Sequence, residues 1–240
     1  MWYANGEFST PGFAESDPAW SPDGQSLVYV AQRKIGDKYL TDVYSIPANG
    51  GGEVRLTNTD TSADITVPHG PRSPSWSAGN GYIYLQMTAE MKVDWYYDPF
   101  TDIYNISAGG ASTMAVRITN PNPTAPRLGP SVNHPAVSPD GTRILVNTSG
   151  SGSGYDLYLL NMTGAVVKRL TNTGQIEDQA AWSPDGKSIV YRAFSAGSGS
   201  IKMMDADGSN VRYVTLSQYN DADPSVGPAG LLPSPAATVP

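Results

Sequence analysis

Cysteine is absent from this 240-residue chain, so no disulfide staples it and no thiolate can bind a metal. Phenylalanine is scarce, at 4 residues, and histidine scarcer, at 2. So few histidines leave little material for an imidazole-rich metal centre. Basic residues are also in deficit: 15 lysines and arginines face 22 acidic residues, for a net charge of −7. A surface of that sign repels phosphate backbones, so no nucleic-acid binding is expected. No apolar run approaches the roughly 20 residues of a membrane-spanning helix, and no basic segment followed by an apolar one opens the chain. Neither membrane insertion nor a signal peptide is therefore expected. Gly-x-Ser-x-Gly elbows and phosphate-cradling glycine loops are missing too, and the alternating run from Gly150 to Gly154 has the composition of a flexible loop.

Glycine (25), proline (20) and tyrosine (14) are abundant, a profile suited to many short strands joined by tight turns. Those turns belong to a repeat. Asp17-Pro18-Ala19-Trp20-Ser21-Pro22-Asp23-Gly24 returns as Asp178-Gln179-Ala180-Ala181-Trp182-Ser183-Pro184-Asp185-Gly186. It returns again as Asn133-His134-Pro135-Ala136-Val137-Ser138-Pro139-Asp140-Gly141, and in degenerate form from Ser73 to Gly81. A second block follows each copy. Thr41-Asp42-Val43-Tyr44 leads to Arg55-Leu56-Thr57-Asn58, Thr101-Asp102-Ile103-Tyr104 to Arg117-Ile118-Thr119-Asn120, and Tyr155-Asp156-Leu157-Tyr158 to Arg169-Leu170-Thr171-Asn172. The fourth copy is weaker, with Ser200 where the others have aspartate.

Equivalent positions at Trp20, Trp76, Val137, Trp182 and Val226 are spaced by roughly 45–60 residues, the size of one propeller blade. Ser-Pro-Asp-Gly suits a tight turn, because proline presets φ and glycine accepts a positive one. Alternating segments such as 26–30 and 188–191 follow it as strands, and Asn49-Gly50 and Asp207-Gly208 mark hairpins. Hairpins centred at 48/49, 109/110 and 162/163 would set Asp42 opposite Arg55, Asp102 opposite Arg117 and Asp156 opposite Arg169. Each opposite-charge pair of that kind contributes roughly 0.2–1 kcal/mol.

These blocks resemble the TolB-like β-propeller repeat, whose units read approximately P-x-W-S-P-D-G, D-I-Y, N-x-G and R-L-T. The likeness runs from about 17 to 226. It implies an all-β fold of four-stranded antiparallel blades, with repeats at about 17–59, 72–120, 133–172 and 178–217. Residues 1–12 read as the last two strands of a repeat and 221–232 as the first of another, so the expectation is five blades, the last shared between the termini. A single domain then spans 1–230, and 231–240 is a tail or linker. The resemblance also implies a periplasmic or secreted setting and a protein partner. Peptidases with similar propellers carry their catalytic triad in a separate α/β domain.

Strand alternation places the Ser-Pro-Asp-Gly and third-to-fourth turns on one side of such a disc. The insertions 31–41, 60–71, 86–100 and 121–132 fall on the other, where recognition is expected. Its ligand-binding candidates are Trp95, Tyr96, Tyr97 and Phe100, which could stack on sugars or anchor a protein, together with Arg33 and Tyr39 from the one basic cluster. His69, His134, Asp17 and Asp178 precede or open inner strands, with Glu177, Asp221 and Asp223 at comparable places. Such a ring could hold calcium or another divalent cation, although no cofactor is otherwise called for. Expected first is a non-catalytic module binding a protein or a glycan. The alternative is a metal-dependent lyase or hydrolase acting on polysaccharide at the channel.

Overall fold

The computed structural model describes residues 15–35, 38–58, 70–79, 81–93, 96–110, 115–120, 128–129, 131–149, 154–195, 197–215 and 220–227. These hold sixteen strands and no helix. β1 (Glu15–Trp20), β2 (Ser26–Ile35), β3 (Lys38–Pro47) and β4 (Val54–Arg55) make one antiparallel sheet in chain order. β5 (Arg72–Trp76), β6 (Tyr82–Val93), β7 (Tyr96–Ser107) and β8 (Val116–Arg117) make a second. β9 (Val132–Val137), β10 (Arg143–Ser149), β11 (Tyr155–Asn161) and β12 (Val166–Arg169) pair in the same way. So do β13 (Ile176–Trp182), β14 (Ser188–Ser195), β15 (Ser198–Asp205) and β16 (Arg212–Tyr213), and one parallel bridge, Tyr155 to Ile176, joins these last two groups.

Consecutive sheets pack face to face. Val28, Val43 and Leu56 of the first meet Ile83, Leu85, Met87 and Ile106 of the second. Tyr84 and Ile103 from the second sheet's other side meet Ile144, Val146 and Leu160. Leu145, Leu157 and Leu159 then meet Ile189, Tyr191 and Met204. Because a central strand is covered on both sides, residues 144–148 of β10 are all buried instead of alternating. Each such fully buried aliphatic side chain contributes about 1.5–3 kcal/mol. At the inner ends the seams are stitched by hydrogen bonds. Trp76 Nε1 donates to the Ala19 carbonyl (3.2 Å), Trp182 Nε1 to that of Ala136 (3.0 Å), and Val137 N to Ser75 Oγ (3.0 Å).

Within the sheets, a buried polar pin recurs. Thr57 Oγ1 donates to Asp42 Oδ1 (2.7 Å) and accepts from Val43 N (2.9 Å), while Arg55 Nε donates to Asp42 Oδ2 (2.9 Å). Asp102, Thr119 and Arg117 repeat this, with Arg117 donating through Nη2, and in the third sheet Arg169 Nη2 donates to Asp156 Oδ2 (2.6 Å) while Thr171 Oγ1 accepts from Leu157 N (2.9 Å). The register differs from the one expected, however. Tyr44, Tyr104 and Tyr158 lie opposite the arginines, so each arginine reaches its aspartate diagonally, two residues along the same face. The reason is the turn: the first hairpin is centred between Asn49 and Gly50, where Gly50 has φ 79°, one position later than 48/49. In the fourth repeat Asp221, arriving from the next link, replaces the carboxylate that Ser200 lacks and accepts from Thr215 Oγ1 (2.6 Å).

The Ser-Pro-Asp-Gly turns also form as hydrogen-bonded units. Ser21 Oγ donates to Asp23 Oδ1 (2.6 Å), which also accepts from Gln25 N (3.0 Å), and Ser138–Asp140 and Ser183–Asp185 repeat the arrangement. Ser77, whose turn lacks that aspartate, keeps a buried hydroxyl without a partner among the described residues. The serine hydroxyls hold Asp23, Asp140, Asp185 and, through Ser209, Asp207 below the ordinary carboxylate range. A carboxyl depressed in the folded state stabilises it above the unfolded value and stops doing so as pH falls through the folded one. The melting temperature is therefore expected to decline on the acid side, between about pH 5 and 2. The triple variant Asp23→Ala, Asp140→Ala, Asp185→Ala should decline less steeply in calorimetry. A slope identical to the wild type would refute the assignment.

Candidate functional site at the inner strand bends

Seven non-glycine residues with positive φ are described, and five of them occupy one column of the repeat: Asp17 (52°), Ser73 (49°), His134 (50°), Gln179 (50°) and Asp223 (50°). All lie three residues before Trp20, Trp76, Val137, Trp182 and Val226 respectively. In the first four, the inner strand also slips its register against the next strand at this point. A bulge of this kind re-aims a side chain that strict alternation would have turned into a sheet face. The five residues line one cavity of about 340 Å³, with Pro18, Pro74, Pro135 and Pro224 beside them. Non-glycine residues in left-handed backbone cost of order 1–3 kcal/mol each and persist where the surroundings impose them.

The polar groups there are partly tied to one another. Asp17 Oδ2 accepts from Ser73 N (3.3 Å). Gln179 Nε2 donates to Asp223 Oδ1 (2.6 Å), and Asp223 N returns a bond to Gln179 Oε1 (3.1 Å). His134 N donates to Gln86 Oε1 (2.7 Å), while its Nδ1 lies 3.0 Å from Asn147 Oδ1. An amide oxygen can only accept, so Nδ1 is the donor in this contact. Among the described residues, neither Asp17 nor Asp223 forms a salt bridge.

Two of the long insertions rise beside this cavity. Glu15, at the start of β1, pairs with Ala31, so residues 32–35 of β2 extend past it on the cavity side. They are not loops. β2 and β3 stay paired out to Ile35 and Lys38, and β6 and β7 out to Val93 and Tyr96. Runs such as 82–88 alternate and carry the hairpin register outward with no turn residue to stop it.

The candidates from sequence are distributed unevenly. Asp17 and His134 line the cavity. Asp178 stands one residue outside the column, directly opposite Arg192, which binds it through Nε (2.7 Å) and Nη2 (2.6 Å). Glu177 is wholly buried and accepts from Thr173 Oγ1 (2.7 Å), and Asp221 is engaged by Thr215. His69 and Trp95 lie outside the described residues, as do the side chains of Tyr39, Tyr96 and Tyr97. Tyr39 itself pairs with Lys34 in the first hairpin, and Phe100 pairs with Ala89 in the second, half-buried. Arg33 is held by Glu15 (2.7 Å) and Glu53 (3.1 Å). No group of three or more histidine, aspartate or glutamate side chains with metal-holding geometry occurs among the described residues. Ser73 and Gln179 carry no signal in their residue type, only in their position in the repeat. Aligning the residue three before each Trp or Val would have found both.

Comparison with known proteins agrees with the repeat. A family model described as the TolB beta propeller domain matches residues 101–232. A Protein TolB homolog of Chlorobium chlorochromatii is 35% identical over 170 residues, covering 70% of this chain and 31% of that protein. An uncharacterised protein of Agrobacterium fabrum is 33% identical over 76 residues, covering 32% of this chain and 26% of its own length. The chain thus spans less than a third of either relative. Among solved structures, TolB from Acinetobacter baumannii superposes with a TM-score of 0.59 at 21% identity, over 84% of this chain and 43% of that one. An oligogalacturonate lyase in complex with manganese gives 0.53 at 15% identity, over 83% and 52%. At those identities the likeness is one of fold. With its tandem antiparallel sheets packed face to face and more than half its length matched by the family model, this chain is a β-propeller and belongs to the TolB beta propeller domain family.

Proposed function

We propose that this chain is a non-catalytic recognition propeller that takes a protein partner on the side bearing the cavity and the two long hairpins. The column of five bends carries the reading. Its backbone is the same in every repeat while its side chains are Asp, Ser, His, Gln and Asp. A feature required by the fold alone leaves the side chain free, and here the varied groups all face one space. Two carboxylates without salt bridges among the described residues favour a cationic group, such as a lysine or arginine of the partner. A periplasmic or exported setting is part of the same reading, drawn from the family. A ring completed by a fifth blade, read from the repeat-like segments 1–12 and 221–232 within one domain, belongs to the same proposal.

Panning a displayed random-peptide library on the protein, beside a glycan array and calcium titration, tests this. Enrichment of lysine- or arginine-bearing peptides is expected. The double variant Asp17→Asn, Asp223→Asn keeps residues that tolerate left-handed backbone and removes both charges. It should bind those peptides roughly 10–100-fold more weakly, the equivalent of about 1.5–3 kcal/mol for a hydrogen bond to a charged group. Unchanged affinity, or recognition of glycans alone, would discard the proposal.

A further inference from the structure

A second cavity lies at the far end of β13 from Gln179, between the third and fourth sheets. It holds about 460 Å³, within the roughly 300–1,000 Å³ of small-molecule sites. Trp182, Leu159 and Val167 make its apolar side. Trp182 is only partly buried against the core, and Val167 is 49% exposed. The indole N–H is already committed to the Ala136 carbonyl, so the ring has only apolar surface left to offer a guest.

Both signs of charge border that surface. Asp185 Oδ1 accepts from Ser183 Oγ (2.6 Å) and Lys187 N (3.1 Å), and Asp207 Oδ1 from Ser209 Oγ (2.6 Å) and N (2.9 Å). Each carboxylate is thus fixed by its own turn through one oxygen. Its Oδ2 takes no hydrogen bond from another of the described residues. Arg143 Nη1 donates to the Thr142 carbonyl (2.9 Å), and Lys168 Nζ to that of Asp207 (2.6 Å). Neither cation forms a salt bridge among the described residues, so both keep donors to spare.

This set belongs to one seam of the three described. The residue five after the turn serine is Arg143 here, but Ser26 and Tyr82 in the first two sheets, where its carbonyl makes the same bond to the serine N–H. Lys168, one before the pin arginine, is matched by Val54 and Val116. The turn of the second sheet has no aspartate, and the third sheet has Val137 at the tryptophan position. The blades form with serine, tyrosine or valine at these places, so the fold does not require the charges.

A guest with net charge of either sign meets a like charge on this rim, which costs binding. A neutral polyhydroxylated ring does not. Each of its hydroxyls can both donate and accept, and its C–H face suits the apolar body of an indole. We propose that this seam binds a short neutral oligosaccharide. Its hydroxyls donate to Asp185 and Asp207 and accept from Arg143 and Lys168, with one sugar ring laid on Trp182. The site is separate from the inner cavity and does not depend on its partner.

The test titrates the full chain, followed by saturation-transfer NMR, with cellotriose, maltotriose and N-acetylated chitotriose. Trigalacturonate and triglucosamine serve as the charged counterparts. At least one neutral trisaccharide is expected to bind, and more tightly than either charged one. The double variant Arg143→Ser, Lys168→Val takes residues found in the other seams. It should keep the melting temperature and bind that sugar roughly tenfold more weakly or worse. Should it fold poorly, Lys168→Gln alone, at an exposed position, should still weaken the sugar several-fold. The Asp17→Asn, Asp223→Asn variant should bind the sugar as the wild type does. Absence of binding by all the saccharides, preference for a charged one, or wild-type affinity in the Arg143 and Lys168 variants overturns the proposal. So does loss of the sugar in the Asp17 and Asp223 variant, which would place it in the inner cavity. The basic-peptide assay does not read this seam, so either proposal can fail alone.

Discussion

Asp102→Ala is expected to destabilise the protein by about 3–5 kcal/mol in urea denaturation, the loss typical of one partner removed from a buried ion pair. The carboxylate has no solvent exposure and gathers donors from three residues: Thr119 Oγ1 (2.8 Å), the Arg117 guanidinium and Asn120 Nδ2 (2.5 Å). Those donors would be left with nothing of equal strength. Arg117 can recover some hydration, because it is only partly covered, whereas the threonine hydroxyl is buried. Asp221→Ala tests the logic in the fourth repeat, where Thr215 is held by that acid without an arginine. Its cost should be smaller, about 1–3 kcal/mol for a lost hydrogen bond of this kind. Equal losses at the two sites would mean that the arginine adds nothing to the pin.

Gly164→Ala should cost about 2–4 kcal/mol, combining the penalty of left-handed backbone with that of overpacking. Gly164 has φ 86°, and a Cβ there would overlap the Ile118 carbonyl of the preceding sheet. Neither atom is the end of a flexible side chain, so relief requires moving one sheet against its neighbour. Gly174→Ala is the control. It has φ 73° but open space around the added carbon, so it should lose only about 1–2 kcal/mol. If both variants melt together, the close approach at 164 is not rigid, and the seam between the second and third sheets is softer than its packing indicates.

The Asp–Arg pairs show how far linear reasoning reaches. Their partnership is legible from the recurrence of Asp42/Arg55, Asp102/Arg117 and Asp156/Arg169 at unequal hairpin lengths. Their register is not, since a shift of one in the turn centre moves every partner by two, and two candidate centres fit the same residues. The site was legible in part for a similar reason. Asp17 and His134 were identified by type and place, but Asp178 and Gln179 are neighbours, and composition favours the wrong one. The bulge decides between them: it turns Gln179 into the cavity and leaves Asp178 opposite Arg192. The insertions 31–41 and 86–100 exceed the usual strand length, yet most of their residues stay paired as extended hairpins.

Local chemistry along the chain sufficed to specify the turns, most strand segments, their grouping into repeats and the Asp–Arg partnership in three of them. All of these depend on contacts close in sequence or repeated at a constant interval. What needed tertiary structure was the gathering of five positions, roughly 45–60 residues apart, around one cavity. Side-chain direction at a bulge, and the space that several bulges share, are set by the accumulated rotation from sheet to sheet. No window of the sequence contains that quantity.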